Sequence, residues 1–162
     1  MNLHYRIGLR AIKSSLAVFV VLLIFFLLDR DNVFYATIAA VVCMQTSYQK
    51  TVRSGVNRLV GTVVGGVLGF LILQLCLGVE AFYHWAYLLI IPFALLPAIY
   101  ICVVTEHKEA VTICCVVLLS IVTDFSTDIS NAVLYVSQRV IDTGIGIVVA
   151  TLIDRLIQPR RD

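Results

Sequence analysis

Between Ser14 and Leu28 the chain carries no charged residue, and five more apolar stretches follow. The six run from about Arg10 to Leu28, Val33 to Met44, Arg58 to Leu77, Trp85 to Thr105, Ala110 to Thr123 and Gln138 to Ile157. A soluble fold of 162 residues leaves much of its surface in water and needs polar side chains to cover it. Here charged residues make up only 14%, against roughly 25% in soluble domains. The shortfall makes sense if hydrocarbon replaces water around the outside. The chain therefore reads as an all-α integral membrane protein with six transmembrane helices, forming a single transmembrane domain over residues 1–162. Crossing the hydrocarbon takes about 20 residues at ~1.5 Å each. Stretches one, three, four and six meet that length, whereas two and five are short.

Arg6, Arg10 and Lys13 ahead of the first stretch resemble the start of a signal peptide. Apolar segments continue to the end of the chain, however, so this stretch reads as a first membrane helix. Placing the N-terminus in the cytoplasm puts ten of the twelve Lys and Arg residues inside and leaves Arg30 and Arg139 outside. That bias orients the protein with both termini cytoplasmic. Phe82, Tyr83, Trp85 and Tyr87 then fall where an outer aromatic belt belongs. Glu106-His107-Lys108-Glu109 forms a charged cytoplasmic turn, and His107 reads as a solvated loop residue rather than a ligand. Cys43, Cys76, Cys102, Cys114 and Cys115 lie in apolar runs without CxxC spacing. They read as small packing residues, with neither a metal site nor a disulfide framework.

Gly61, Gly65 and Gly69 recur every four residues and form one stripe along the third helix. Such a stripe admits a second backbone closely, as plain packing or as a sliding surface. The sixth stretch opens in a similar way. At an offset of 81 residues Arg58 meets Arg139, Thr62 meets Thr143, Gly65 meets Gly146 and Val67 meets Val148, and the two short stretches overlie each other. This predicts an inverted three-plus-three repeat, with units of roughly 1–80 and 81–162. Matching short segments in inverted halves point to a transporter's central site, with helices two and five ending in or at the edge of the membrane. Arg58 and Arg139 are expected at helix starts near an interface. There they either snorkel to headgroups or bind an anion, through bidentate donors and the positive helix end. Asp142, three residues on, is the expected local partner of Arg139.

No H-E-x-x-H, G-x-S-x-G or Walker motif is present, so the chain does not read as an enzyme and no cofactor is implied. No basic and aromatic patch suits nucleic acid. Gly8-Leu9-Arg10-Ala11-Ile12-Lys13, Met44-Gln45-Thr46, Asn57-Arg58-Leu59-Val60-Gly61-Thr62-Val63-Val64-Gly65, Arg139…Thr143…Gly146 and Asp154-Arg155-Leu156-Ile157-Gln158-Pro159 resemble the bacterial aromatic acid exporter family, within the fusaric acid resistance superfamily. The resemblance covers essentially the whole chain. It implies a plasma-membrane exporter of aromatic or other organic acids, driven by the proton gradient. Longer relatives carry two six-helix halves, so one half implies a homo-oligomer, with a dimer favoured. Many relatives also continue into a cytoplasmic helical domain.

In that reading Arg58, with Arg139 as its counterpart, contacts the substrate carboxylate. Lys13 and Arg10 widen an electropositive entrance. Gln45 and Thr46 supply hydrogen bonds at the helix break, and Thr62 shares the face of Arg58. Asp142 or Asp124 carries the coupling proton. The competing reading is a small scaffold or assembly subunit that docks a partner through its glycine stripe.

Overall fold

The computed structural model describes residues 9–30, 32–77, 83–124 and 129–157, without the side chains of 75–77, 83–88, 124, 129 and 130. Six α-helices follow one another: α1 Leu9–Leu27, α2 Phe34–Cys43, α3 Tyr48–Leu77, α4 Tyr83–Val104, α5 Val111–Asp124 and α6 Ile129–Leu156. A short 3-10 turn, Lys108–Ala110, precedes α5. Among the described residues there is no strand. In hydrocarbon the backbone must find its partners within its own segment, and a helix provides that. α1, α3 and α6 contain stretches both long and apolar enough to cross a membrane. The proposed aromatic belt at Phe82, Tyr83, Trp85 and Tyr87 lies outside the described residues and side chains.

The six apolar stretches map one to one onto the helices, but α3 and α6 begin ten and nine residues earlier than the stretches do. Hydropathy marks where a helix meets hydrocarbon, and a helix continues into polar sequence wherever packing supports it. Arg58 and Arg139 therefore lie in helix interiors, ten residues past the first turn residue, and not at helix starts. The helix-terminal potential expected to help them hold an anion does not apply, because it fades within the first turn.

Contacts divide the chain into two compact units, Met1–Val56 with Asp142–Asp162, and Asn57–Ile141. In the first, α1 buries Lys13, Ala17, Val21 and Phe25 at four-residue spacing. That stripe meets Ala36, Ala40, Cys43 and Met44 of the α2 region and Val149, Ala150 and Ile153 of α6. The other faces of α1 are also apolar, with Phe26 82% and Leu27 74% exposed. A helix apolar all round, with only one stripe covered by protein, suits a lipid surround. Gly146 lets α6 approach α2 so closely that a Cβ there would overlap the Ala36 carbonyl. α1 ends where Arg30 N–H reaches the Phe25 carbonyl at 3.1 Å, with Asp29 at a φ of 50°. This is the six-to-one closure of a left-handed helix cap.

In the second unit α4 and α5 form an antiparallel pair around Ala98, Cys102, Ala110, Cys114, Leu118 and Val122. Leu73, Val117, Ile121 and Ala132 form a further cluster. The glycine stripe of α3 faces α5. A Cβ at Gly61 would lie 2.6 Å from the Ala110 carbonyl oxygen, one at Gly65 would overlap the Cys114 carbonyl, and one at Gly69 would lie 3.1 Å from Ile121 Cδ1. Four-residue spacing on one helix meets four-residue spacing on the other, so the two backbones run side by side in contact.

Candidate functional site

α2 stops at Cys43 because Met44 turns extended, with φ −65° and ψ 110°. Its carbonyl leaves the helix direction and accepts Arg10 Nε at 3.0 Å. The next residue, Gln45, donates its backbone N–H to Thr51 Oγ at 3.1 Å. Thr51, in the first turn of α3, donates its own hydroxyl to Asp154 Oδ2 at 2.8 Å. The other oxygen, Asp154 Oδ1, receives the Lys13 ammonium at 2.7 Å. A polar network thus ties the α2–α3 break to α1 and α6.

The members of this network are deeply buried: Lys13 is 4% exposed, Asp154 1% and Thr51 0%. A buried charge requires a partner, since taking an ion out of water costs several kcal/mol or more. Here the two opposite charges face each other, and the carboxylate's second oxygen has a hydroxyl donor. Ala17, Cys43 and Ile153, neighbours of these residues in sequence or in the break, belong to the apolar cluster of this unit. The break itself opens outward, with Thr46 and Ser47 exposed.

A second buried carboxylate lies at the other end of α1. Arg30 Nη1 is 3.1 Å from Asp142 Oδ1, with Asp142 almost fully buried and Arg30 a third exposed. The contact is an ion pair whose alignment falls short of a hydrogen bond at that oxygen. Arg30 also lies 5.8 Å from the Phe25 ring centre. In the other unit, Arg139 is 8% exposed and Arg58 9%. Arg139 Nη1 donates to Ser120 Oγ at 2.7 Å and to Tyr135 Oη at 2.6 Å, and its guanidinium stands 5.6 Å from the Tyr135 ring centre.

The family model for fusaric acid resistance protein-like sequences matches residues 16–153. The chain belongs to that family. It is a membrane protein of the transporter or resistance type, and its apolar helices agree. No curated protein and no solved structure matches it.

Within this family member the residues expected at the site make the following contacts. Lys13, expected at an electropositive entrance, is buried and ion-paired with Asp154. Arg10 has its Nε on the Met44 carbonyl. Asp142, expected beside Arg139, is ion-paired with Arg30. Thr62 donates its hydroxyl to the Arg58 carbonyl at 2.9 Å, a bond within its own helix. Gln45 Nε2 donates back to the Val42 carbonyl at 3.1 Å, and Thr46 is exposed. The Asp124 side chain lies outside those described. His107 is not merely solvated: its Nδ1 is 2.7 Å from Asn57 Oδ1, and Asn57 Nδ2 donates to Glu109 Oε2 at 2.8 Å.

Sequence reasoning gave no role to Asp154, Thr51, Ser120 or Tyr135. Asp154 had a signal, because an acid inside an apolar segment marks a functional position by default. Thr51 had none; a threonine in a polar helix start looks like many others.

Proposed function

We propose that the chain is a secondary transporter that exports aromatic or other organic acids across the bacterial plasma membrane as a homo-oligomer, most simply a dimer. The supporting observation is Arg139, a buried guanidinium in the interior of an apolar helix, oriented by the Tyr135 hydroxyl and Ser120. Charges within a membrane span are costly and mark substrate or ion pathways. A guanidinium beside an aromatic ring matches both ends of an aromatic acid. Arg58, its counterpart in α3, is buried to the same degree.

The inverted repeat belongs to this reading. α2 ends at Cys43 and α5 at Asp124, and α3 starts at Tyr48 and α6 at Ile129. Each pair is 81 residues apart, the spacing at which Arg58 meets Arg139. At ~1.5 Å per residue, α2 and α5 extend about 15 and 21 Å, less than the ~30 Å hydrocarbon thickness. Both therefore end within it, in a protein of six spans with cytoplasmic termini. The scaffold reading fares worse. Its docking stripe at Gly61, Gly65 and Gly69 is already filled by α5 of the same chain.

The test is release of radiolabelled benzoate from reconstituted vesicles. Wild-type protein is expected to accelerate release over empty vesicles, and Arg139→Ala and Arg58→Ala to abolish the gain. Release equal to that of empty vesicles, with a partner protein co-purifying in fixed ratio, would instead establish the scaffold.

A further inference from the structure

The Lys13–Asp154 pair is a fully buried ion pair that also reaches the break between α2 and α3 through Thr51. Its ammonium carries three donors, yet among the described residues Asp154 is its hydrogen-bond partner, through one of them. The residue is only 4% exposed, so the pairing of its charge rests on this one contact. The ammonium lies one turn from exposed Arg10, beside a helix break whose Thr46 and Ser47 are exposed.

We infer that Lys13 and Asp154 form a proton-linked anion site, in which an organic carboxylate and Asp154 compete for the same ammonium. The inference rests on the transport reading above and names the site where anion and proton meet. Loading balances as follows. A hydronium in the adjoining water gives its proton to Asp154 Oδ1, forming a neutral carboxyl group. The Nζ–H···Oδ1 contact opens, and the same N–H turns to an oxygen of the incoming carboxylate. Lys13 keeps all three of its protons. The pair is neutral before loading, and the site is neutral after taking up one proton and one anion. An anion arriving without the proton would leave two carboxylates sharing one ammonium, and a proton without the anion would leave a bare buried cation. Both carry a net charge out of water, so the two loadings are linked.

Asp154 suits this exchange better than Asp142. From α1 it faces Lys13, with Arg10 a turn away and held by Met44. From α3 it faces Thr51, while Lys50 and Arg53 are exposed. Cys43 packs in the same cluster, and Arg155, next to Asp154 on α6, is exposed. Asp142 faces Arg30, which is a third exposed and so shares its charge with water. Of these two carboxylates, Asp154 is the one connected to the helix break, since Thr51 bridges its carboxylate to the Gln45 amide. A change of charge at Asp154 is therefore felt where α2 gives way to α3.

The experiment is calorimetric titration of benzoate into the purified full chain in lipid nanodiscs, at neutral pH, in two buffers of different ionisation enthalpy. Carboxylic acids ionise near pH ~4, so benzoate arrives as the anion and any proton taken up resides on the protein. About one proton per benzoate is expected, with affinity rising up to about tenfold for each unit the pH falls. Asp154→Asn is expected to bind benzoate without proton uptake, and Asp142→Asn to keep the uptake. Binding to wild-type protein without proton uptake overturns the linkage and leaves the transport reading intact, and this measurement needs no variant. Uptake that persists in Asp154→Asn or vanishes in Asp142→Asn also overturns it. Neither binding nor vesicle release of benzoate overturns both readings.

Discussion

Lys13 Nζ lies 2.7 Å from Asp154 Oδ1, joining residues 141 positions apart, both almost fully buried. It fastens the start of α1 to the end of α6, while Arg30 and Asp142 meet at the opposite end of α1. The two helices are thus held in register by charge as well as by the apolar stripe between.

Removing one member of the inner pair leaves its partner charged and buried. Lys13→Met should cost about 3–5 kcal/mol, read as a lower unfolding midpoint in detergent. Lys13→Met combined with Asp154→Leu should recover much of that loss, because no uncompensated charge remains. Equal destabilisation in single and double variants would show that the packing, not the pairing, matters.

Thr51 links Asp154 to the break after α2. Thr51→Val keeps the volume but strands the Gln45 amide and one carboxylate oxygen, at a cost of about 1–3 kcal/mol. Hydrogen exchange at the Gln45 amide should quicken in Thr51→Val and stay slow in Thr51→Ser. An unchanged rate in the valine variant would place the protection elsewhere.

Glycine positions should separate sharply. Gly65→Ala drives a methyl into the Cys114 carbonyl, and α3 must move away from α5 at a cost of about 1–3 kcal/mol. A methyl at Gly144 would meet nothing within 4 Å, so Gly144→Ala should gain about 0.5–1 kcal/mol from helix propensity. Thermal unfolding of the two variants side by side checks both signs.

Arg139 is positioned by Tyr135, one turn back on α6, and by Ser120 on α5. Arg139→Lys keeps the charge but cannot present the planar fork. Benzoate release should fall about tenfold, the equivalent of one lost charge-assisted bond. Tyr135→Phe retains the ring and removes the hydroxyl, and should fall between wild type and Arg139→Lys. Wild-type rates in both would remove Arg139 from the substrate path.

The number and order of helices could be read from the apolar stretches, and the short α2 and α5 from their length. Helix starts could not: α3 reaches back to Tyr48 through Gln49, Lys50 and Arg53, residues that carry no hydropathy signal. Gly61, Gly65 and Gly69 announced a close approach by their spacing, although only the structure identifies α5 as the helix that fills the stripe. For the charged residues local sequence could not supply the long-range partners. Asp142 was expected to pair with Arg139 three residues away, and the structure also brings it to Arg30, just past the end of α1.

By itself the sequence determined the solvent and the secondary structure. Apolar runs of this length admit a hydrocarbon surround, and hydrocarbon admits backbone only when each segment satisfies its own hydrogen bonds. Which charges face each other was decided by the tertiary structure alone. A buried ammonium takes whichever carboxylate the packing brings within reach, and for Lys13 that carboxylate is contributed by the far end of the chain.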